Sequence, residues 1–385
     1  MTAPVAAAQW YLASVGDAQG TAIPFFLQLP SQIGGEALVA TGPDRVRAKL
    51  TARSPKIVVE FDILHTKIEA TPGADGALAG TWSSTSGSWG ASSLSFRAKP
   101  VAAPDPVLRF PGAPGPDVTG VWKVQLTKPG ELGKLVIARG EGNAITATFA
   151  FYTGNLAFVA GNQDGRTIRL SAFDGSSPYL LVGELDAKGD RFTGTWTAGQ
   201  ALAWTEKLTA QRAPSFMLEI QTKLAAARPK LKLPLLDQAP YANHPVIVEL
   251  GGSWCPACGH ASGKLRELRE KYASQDLQVV TLAYEFTDDT VYNKQQADGF
   301  KAKFKIPWEV IPIDGGLDKY NEILPPEISN IDASGFPITV FVARDGGIEG
   351  FHSGFPPEKW GVLHGEALAD YDRLTSKIIA SPAKP

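Results

Sequence analysis

The spacing of apolar and polar positions changes character near residue 213. Before it, short stretches such as Ala144-Ile145-Thr146-Ala147-Thr148-Phe149 and Thr167-Ile168-Arg169-Leu170-Ser171-Ala172-Phe173 alternate with period two. The pairs Asp164-Gly165 and Asp174-Gly175 and the run Lys188-Gly189-Asp190 punctuate them. Alternation places one set of side chains on a single face of a strand, and Gly/Asp pairs supply the tight turns between strands. Residues 1–212 therefore predict an all-β, antiparallel sandwich-like or barrel-like region. Within it, residues 99–117 carry Pro100, Pro104, Pro106, Pro111, Pro114 and Pro116, which are expected to block helix and central strand alike and to form a linker or extended edge.

Beyond residue 213 strands and helices alternate. Ser215 to Ala227 predicts a short helix, and a basic, proline-bearing connector runs from Arg228 to Pro234. Buried strands are expected at Val246–Leu250 and Leu277–Tyr284, because their runs are too apolar to face water, and a third strand at Trp308–Ile313. Helices are expected at Pro256–Tyr272, where Leu265, Leu268 and Tyr272 share one face, and at Val291–Phe304. An antiparallel pair, Pro337–Val342 with Gly347–His352, turns at Asp345-Gly346, and Pro357–Ala380 closes the chain as a helix. Such an order predicts an α/β sheet covered on both faces.

The β-rich part repeats itself. Trp10 and Trp122, Thr41-Gly42 and Thr153-Gly154, and Phe61-Asp62 and Phe173-Asp174 all lie 112 residues apart; Gly80-Thr81-Trp82 then matches Gly194-Thr195-Trp196, with Trp89 and Trp204 following. The tryptophans at 82, 89, 196 and 204 are expected in the core or in cross-strand pairs. The domain scheme is thus a first β-rich repeat (1–100), a Pro-rich linker (101–117), a second repeat (118–212), a helix and connector (213–234), and an α/β domain (235–385).

Composition narrows the partners. With 37 Lys and Arg against 39 Asp and Glu, the chain has a net charge of -2 and no basic cluster, which removes nucleic acid from the expected partners. No apolar run approaches the roughly 20 residues that span a bilayer, and the N-terminus lacks a basic start with an apolar stretch. A membrane enters the expectation only through an N-terminal anchor absent from this chain.

Two cysteines in 385 residues stand two residues apart, in Trp254-Cys255-Pro256-Ala257-Cys258, directly after an apolar strand. At the start of the following helix Cys255 gains from the positive end of the helix, which favours thiolate over thiol, so it is the expected nucleophile. Pro256 suits the first helical position, and Cys258, less than a turn further on, is the expected resolving thiol of a redox-active Cys255–Cys258 disulfide. A chain whose only thiols work together fits an oxidising compartment, so a periplasmic or exported protein is expected ahead of a cytoplasmic one.

The string Gly252 to Cys258, followed by Gly335-Phe336-Pro337-Ile338-Thr339-Val340-Phe341-Val342 and the turn Arg344-Asp345-Gly346-Gly347, resembles the TlpA-type branch of the thioredoxin superfamily, with its AhpC/TSA-like redox domain, over residues 235–380. The resemblance implies a thioredoxin-like fold, a thiol-disulfide oxidoreductase acting in the reducing direction on protein disulfides, and an upstream thiol reductase that resets it. It further implies an antioxidant role and no cofactor or metal beyond the dithiol. Pro337 is then expected to be cis, and Trp254, Phe336 and Pro337 to bind substrate. Glu249, six residues before Cys255, stands where thioredoxin has a buried acid that exchanges a proton with the resolving cysteine; Glu285 is a second candidate acid. Ile338 after the proline and Gly251-Gly252 before the motif depart from the family. Upstream, Ile23-Pro24-Phe25, Phe173-Asp174-Gly175 and the stretch from Trp196 to Trp204 look like the β-rich region of some TlpA-like proteins.

Two other functions compete. A peroxiredoxin-like peroxidase needs Thr or Ser three residues before its reactive cysteine, where Cys255 has Gly252. Delivery of Cu(I) would use the thiolates with His260 or His352.

Overall fold

A computed structural model describes residues 8–382 except 43, 62–65, 85–91, 103–111, 128–131, 152–155, 200–201, 203, 217–227, 317–318 and 330–335. The predicted helix at Ser215–Ala227, Asp62, Trp89, Pro104, Pro106, Pro111, Thr153-Gly154 and Gly335 lie wholly or largely outside those residues. The chain forms two compact units, one holding both β-rich repeats and the other residues 218–385.

Each repeat is a closed barrel of eight antiparallel strands. The first contains β1 (Gln9–Gly16), β2 (Ala22–Leu29), β3 (Glu36–Thr41), β4 (Asp44–Ala52), β5 (Ile57–Phe61), β6 (Thr66–Pro72), β7 (Leu78–Ser84) and β8 (Ser92–Val101), paired in order, with β8 returning to β1. The second contains β9 (Gly120–Leu126), β10 (Leu132–Arg139), β11 (Ala144–Phe151), β12 (Leu156–Asp164), β13 (Thr167–Phe173), β14 (Pro178–Leu185), β15 (Arg191–Ala198) and β16 (Trp204–Arg212), closed by β16 on β9. The repeat holds strand by strand: β12 starts and ends 112 residues after β4. Alternate residues point inward, as Tyr11, Ala13 and Val15 do on β1, and side chains fill the interior of a barrel of this size.

The Gly-Thr-Trp repeats have a shared cause. Trp82 and Trp196 are fully buried, and a Cβ at Gly80 or Gly194 would strike the carbonyl of Glu69 or Val182 on the adjoining strand. Only glycine admits that approach. One expectation fails in this unit. Trp204 is 40% exposed, because it opens β16, where its indole reaches Glu206 rather than the core. Pro100 lies inside β8, opposite Tyr11; pairing with β7 ends at Ala98, so only one neighbour remains there and a missing N–H is tolerated.

The repeats also meet. Phe173, at the end of β13, belongs to the core of the first barrel, with its ring 4.6 Å from Phe25 and edge-on to Phe61 and Trp82. Beyond it Asp174 Oδ1 accepts from the amides of Ser176 and Ser177, which folds the turn back. The buried carbonyl of Gly175 then accepts from Thr66 Oγ1 (2.5 Å) and Trp82 Nε1 (3.2 Å). Gly175 has φ +88°, and a Cβ there would run into the Phe61 ring.

In the other unit a five-stranded sheet has the order β19-β18-β17-β20-β21. Strands β17 (Val246–Gly251), β18 (Gln278–Tyr284) and β19 (Glu309–Ile313) are parallel; β20 (Ile338–Val342) and β21 (Ile348–Ser353) are antiparallel to their neighbours. Helices α1 (Pro256–Lys271) and α2 (Thr290–Lys303) cross between the parallel strands. The short α3 (Tyr320–Ile323) and α4 (Pro326–Ser329) precede β20, and α5 (Val362–Ile379) ends the fold. One sheet face packs Ile247, Val279 and Phe341 against Leu265, Leu268, Phe300 and Leu374 of α1, α2 and α5. The other packs Val248, Val280 and Val340 around Tyr320, Leu324 and Ile328. Both faces are covered, as the apolar strands require. The final helix is interrupted: Gly361 at φ +55° separates a 3₁₀ turn, Glu358–Trp360, from α5. Asp289 caps α2 by accepting from the amides of Val291 and Tyr292.

Candidate functional site

The dithiol lies where β17 gives way to α1. Cys255 is the N-cap of the helix in an extended conformation, and its Sγ accepts a hydrogen bond from the amide of Cys258 at 3.1 Å. Unpaired amides at a helix start carry partial positive charge, so this sulfur sits where a thiolate is stabilised. Cys255 and Cys258 are joined in a disulfide, and both are buried, Cys255 at 3% exposure and Cys258 completely.

The two glycines that depart from the family have a steric reason. A Cβ at Gly251 would lie 2.8 Å from Cys258 Sγ, and one at Gly252 would enter the Trp254 indole. The last residue of β17 and the one after it thus give up side chains so that the sulfur and the indole can lie against the backbone. The indole is fixed in turn: Trp254 Nε1 donates to the Tyr284 carbonyl at 2.9 Å, and its ring lies 4.8 Å from Phe286.

Residues far apart in sequence converge here. The Phe336-Pro337 bond is cis, Pro337 is buried, and half-buried Phe336 packs into the cluster that holds both cysteines. Its ring is 5.9 Å from Trp254, 6.0 Å from Tyr284 and 5.7 Å from Tyr320. Trp254, Phe336 and Pro337 are therefore brought together beside the dithiol.

Both candidate acids are buried there. Glu249, on β17, is fully enclosed; its Oε2 accepts from Thr281 Oγ1 at 2.7 Å, and its Oε1 is buried without a hydrogen-bond partner. Burial pushes its carboxyl up to about 7, against the lowering effect of the Thr281 hydrogen bond. Glu285 follows β18 and is 2% exposed; its Oε1 accepts from the amide of Ser253 at 3.1 Å and its Oε2 from Ser253 Oγ at 2.8 Å. Burial raises it to about 7 as well; the Ser253 hydrogen bonds oppose that shift and the charge of Asp314 adds to it.

Sequence reading passed over several of these partners. Ser253 ties the loop before the dithiol to Glu285, and Thr281, which receives a hydrogen bond from Trp308 Nε1 at 2.9 Å, holds Glu249. Thr339 Oγ1 and Tyr371 Oη pair at 2.6 Å on the same side of the sheet. The signal for Thr281 was its position on an otherwise apolar strand. His260 is exposed on α1, while His352 Nδ1 lies 3.4 Å from Asp370 Oδ2. Among the described residues no group of three or more His, Cys, Asp or Glu is arranged to hold a metal. None of the helices among them is long and apolar enough to cross a membrane.

No family model matches this chain, and no curated protein matches it. Solved structures do, over about a third of its length. A thioredoxin-family thiol:disulfide interchange protein from Chlorobium tepidum matches at 16% identity, covering 36% of this chain and 81% of its own (TM-score 0.24). A thiol-disulfide oxidoreductase from Bacteroides fragilis matches at 13% identity over 35% and 87% (TM-score 0.26). A secreted Mycobacterium tuberculosis disulfide oxidoreductase, described as homologous to Escherichia coli DsbE, matches at 16% identity over 35% and 83% (TM-score 0.24). The C-terminal unit combines the sheet order β19-β18-β17-β20-β21, a helix that starts at the dithiol and a Cys255–Cys258 disulfide, the arrangement of a thioredoxin-like fold.

Proposed function

We propose that the chain reduces protein disulfides by dithiol exchange at Cys255 and Cys258. The observation that carries this reading is the placement of Cys255 Sγ at the start of α1, hydrogen-bonded to an amide and disulfide-linked to Cys258, beside Phe336-Pro337. In the reduced form the Cys255 thiolate attacks a substrate disulfide docked against Trp254, Phe336 and Pro337, forming a mixed disulfide and releasing the first substrate thiolate. Cys258 loses its proton to Glu249, and its thiolate attacks Cys255 Sγ; the Cys255–Cys258 bond forms as the second substrate thiolate leaves. Two electrons pass from the dithiol to the substrate, and a thiol reductant upstream must return them. Glu285 holds the loop that carries Trp254.

A scarcity of thiols beyond the working pair suits an exported, periplasmic protein. Cys255→Ser is expected to abolish insulin reduction, measured as turbidity, and Cys258→Ala to accumulate a mixed disulfide that identifies the substrate by mass. Insulin reduction at the wild-type rate in Cys255→Ser would sink the proposal.

A further inference from the structure

Glu249 and Gly251 stand two residues apart on β17 and so face the same side of the sheet. Because the Cβ direction of Gly251 leads to Cys258 Sγ, Glu249 lies beneath α1, about 7 Å along the strand from the residue that touches the sulfur. Across the sheet its neighbours in register are Thr281 on β18 and Thr339 on β20. Thr339 and Tyr371, from α5, are hydrogen-bonded to each other, so the hydroxyl aimed at the carboxyl is that of Thr281.

An indole N–H can only donate, so Trp308 Nε1 occupies one of the two lone pairs of Thr281 Oγ1, and the Thr281 hydroxyl donates to Glu249 Oε2. Thr281 and Trp308 are both buried, at 1% and 5% exposure. Oε2 is thus engaged as an acceptor, and Oε1, buried and without a hydrogen-bond partner, is the carboxyl oxygen left open to a proton. The titratable groups that face this carboxyl are Cys258 from α1 and Tyr371 from α5. Among the described residues no Lys, Arg or His shifts it.

We infer that Thr281 and Trp308 are positioning residues that hold Glu249 by Oε2 and reserve Oε1 for proton exchange with Cys258. The inference rests on the reading of Glu249 as the acceptor of that proton. In the step it serves, the Cys258 S–H bond breaks, its proton passes to Oε1, and the electron pair left on sulfur forms the bond to Cys255. Loss of the Thr281 donor removes a hydrogen bond that favours the charged carboxylate, which makes Glu249 a stronger base but ionised only at higher pH.

Reduced protein mixed with dithiodipyridine releases one thiopyridone when Cys255 attacks and a second when Cys258 resolves the mixed disulfide, and the rate of the second phase is followed against pH. Thr281→Val, which keeps the shape without the hydroxyl, is expected to move the midpoint of that phase up by about one pH unit; Trp308→Phe moves it less, and Thr281→Ser leaves it in place. Glu249→Gln is expected to remove the midpoint. If Glu249→Gln leaves the profile unchanged, the reading of Glu249 fails and this inference with it. If Glu249→Gln removes the midpoint but Trp308→Phe and Thr281→Val do not move it, or Thr281→Ser moves it as far as Thr281→Val, the inference alone fails. Should Thr281→Val not fold, Trp308→Phe and Thr281→Ser decide the matter.

Discussion

The two carboxylates beside the dithiol reach the same elevated range by different constructions. Glu249 sits under α1 with one side-chain hydrogen bond and one oxygen left empty-handed, so desolvation is opposed by little. Glu285 sits past the end of β18 with both oxygens engaged by Ser253, through a backbone amide and a hydroxyl. Two hydrogen bonds to an anion should lower it further than one; the charge of Asp314 works against them. A group with a spare acceptor can receive a proton without breaking anything. Glu285, whose acceptors are spent on the loop, serves as a fastening.

That contrast is sharpened first by rate. Glu249→Gln is expected to slow resolution of the mixed disulfide at pH 8 by about a hundredfold, the range of a lost general base. Glu285→Gln should cost at most about tenfold, and should act on substrate docking through Trp254 as well. Stopped-flow kinetics with equal losses in both variants would erase the distinction. A second expectation concerns stability of the oxidised protein. Both carboxyls hold their protons to higher pH when folded than when unfolded, so the folded state binds more protons between the ordinary carboxylate value, near 4.5, and about 7. Stability therefore falls as pH rises through that window and is flat beyond it, by about 3 kcal/mol for each acid. Denaturant titrations of either Glu→Gln variant should show about half the fall of the parent; an unchanged slope would mean that the group does not titrate there. The smallest effect is expected from Ser253→Ala, which removes one hydrogen bond to Glu285 at a cost of about 1 kcal/mol. It should raise the Glu285 titration while that of Glu249 stays put, as read from the carboxyl infrared bands.

Much of the redox unit was legible because its signals are local. An apolar run, a cysteine just before the helix, a proline at the first helical position and a second cysteine in that same turn place the dithiol without tertiary information. Register was harder to see. Thr281 faces Glu249 only once β18 is aligned with β17, and Trp308 meets Thr281 only once β19 is laid beside β18. In the β-rich unit, alternation revealed strands and the duplication, but a period of two is the same in a sandwich and a closed barrel. The exposure of Trp204 was hidden for a related reason: an isolated tryptophan at a strand start has no periodic partner to say which way it faces.

The turn that joins the barrels makes the duplication directional. The turn of the second copy is received by the first through contacts that involve different surfaces of the two repeats. Where the second copy has Gly175, the matching position in the first is Ile63. A Cβ at Gly175 would strike the Phe61 ring, so the duplication has diverged at the one position where the turn of the second copy needs a residue without a side chain, and that contact runs one way along the polypeptide.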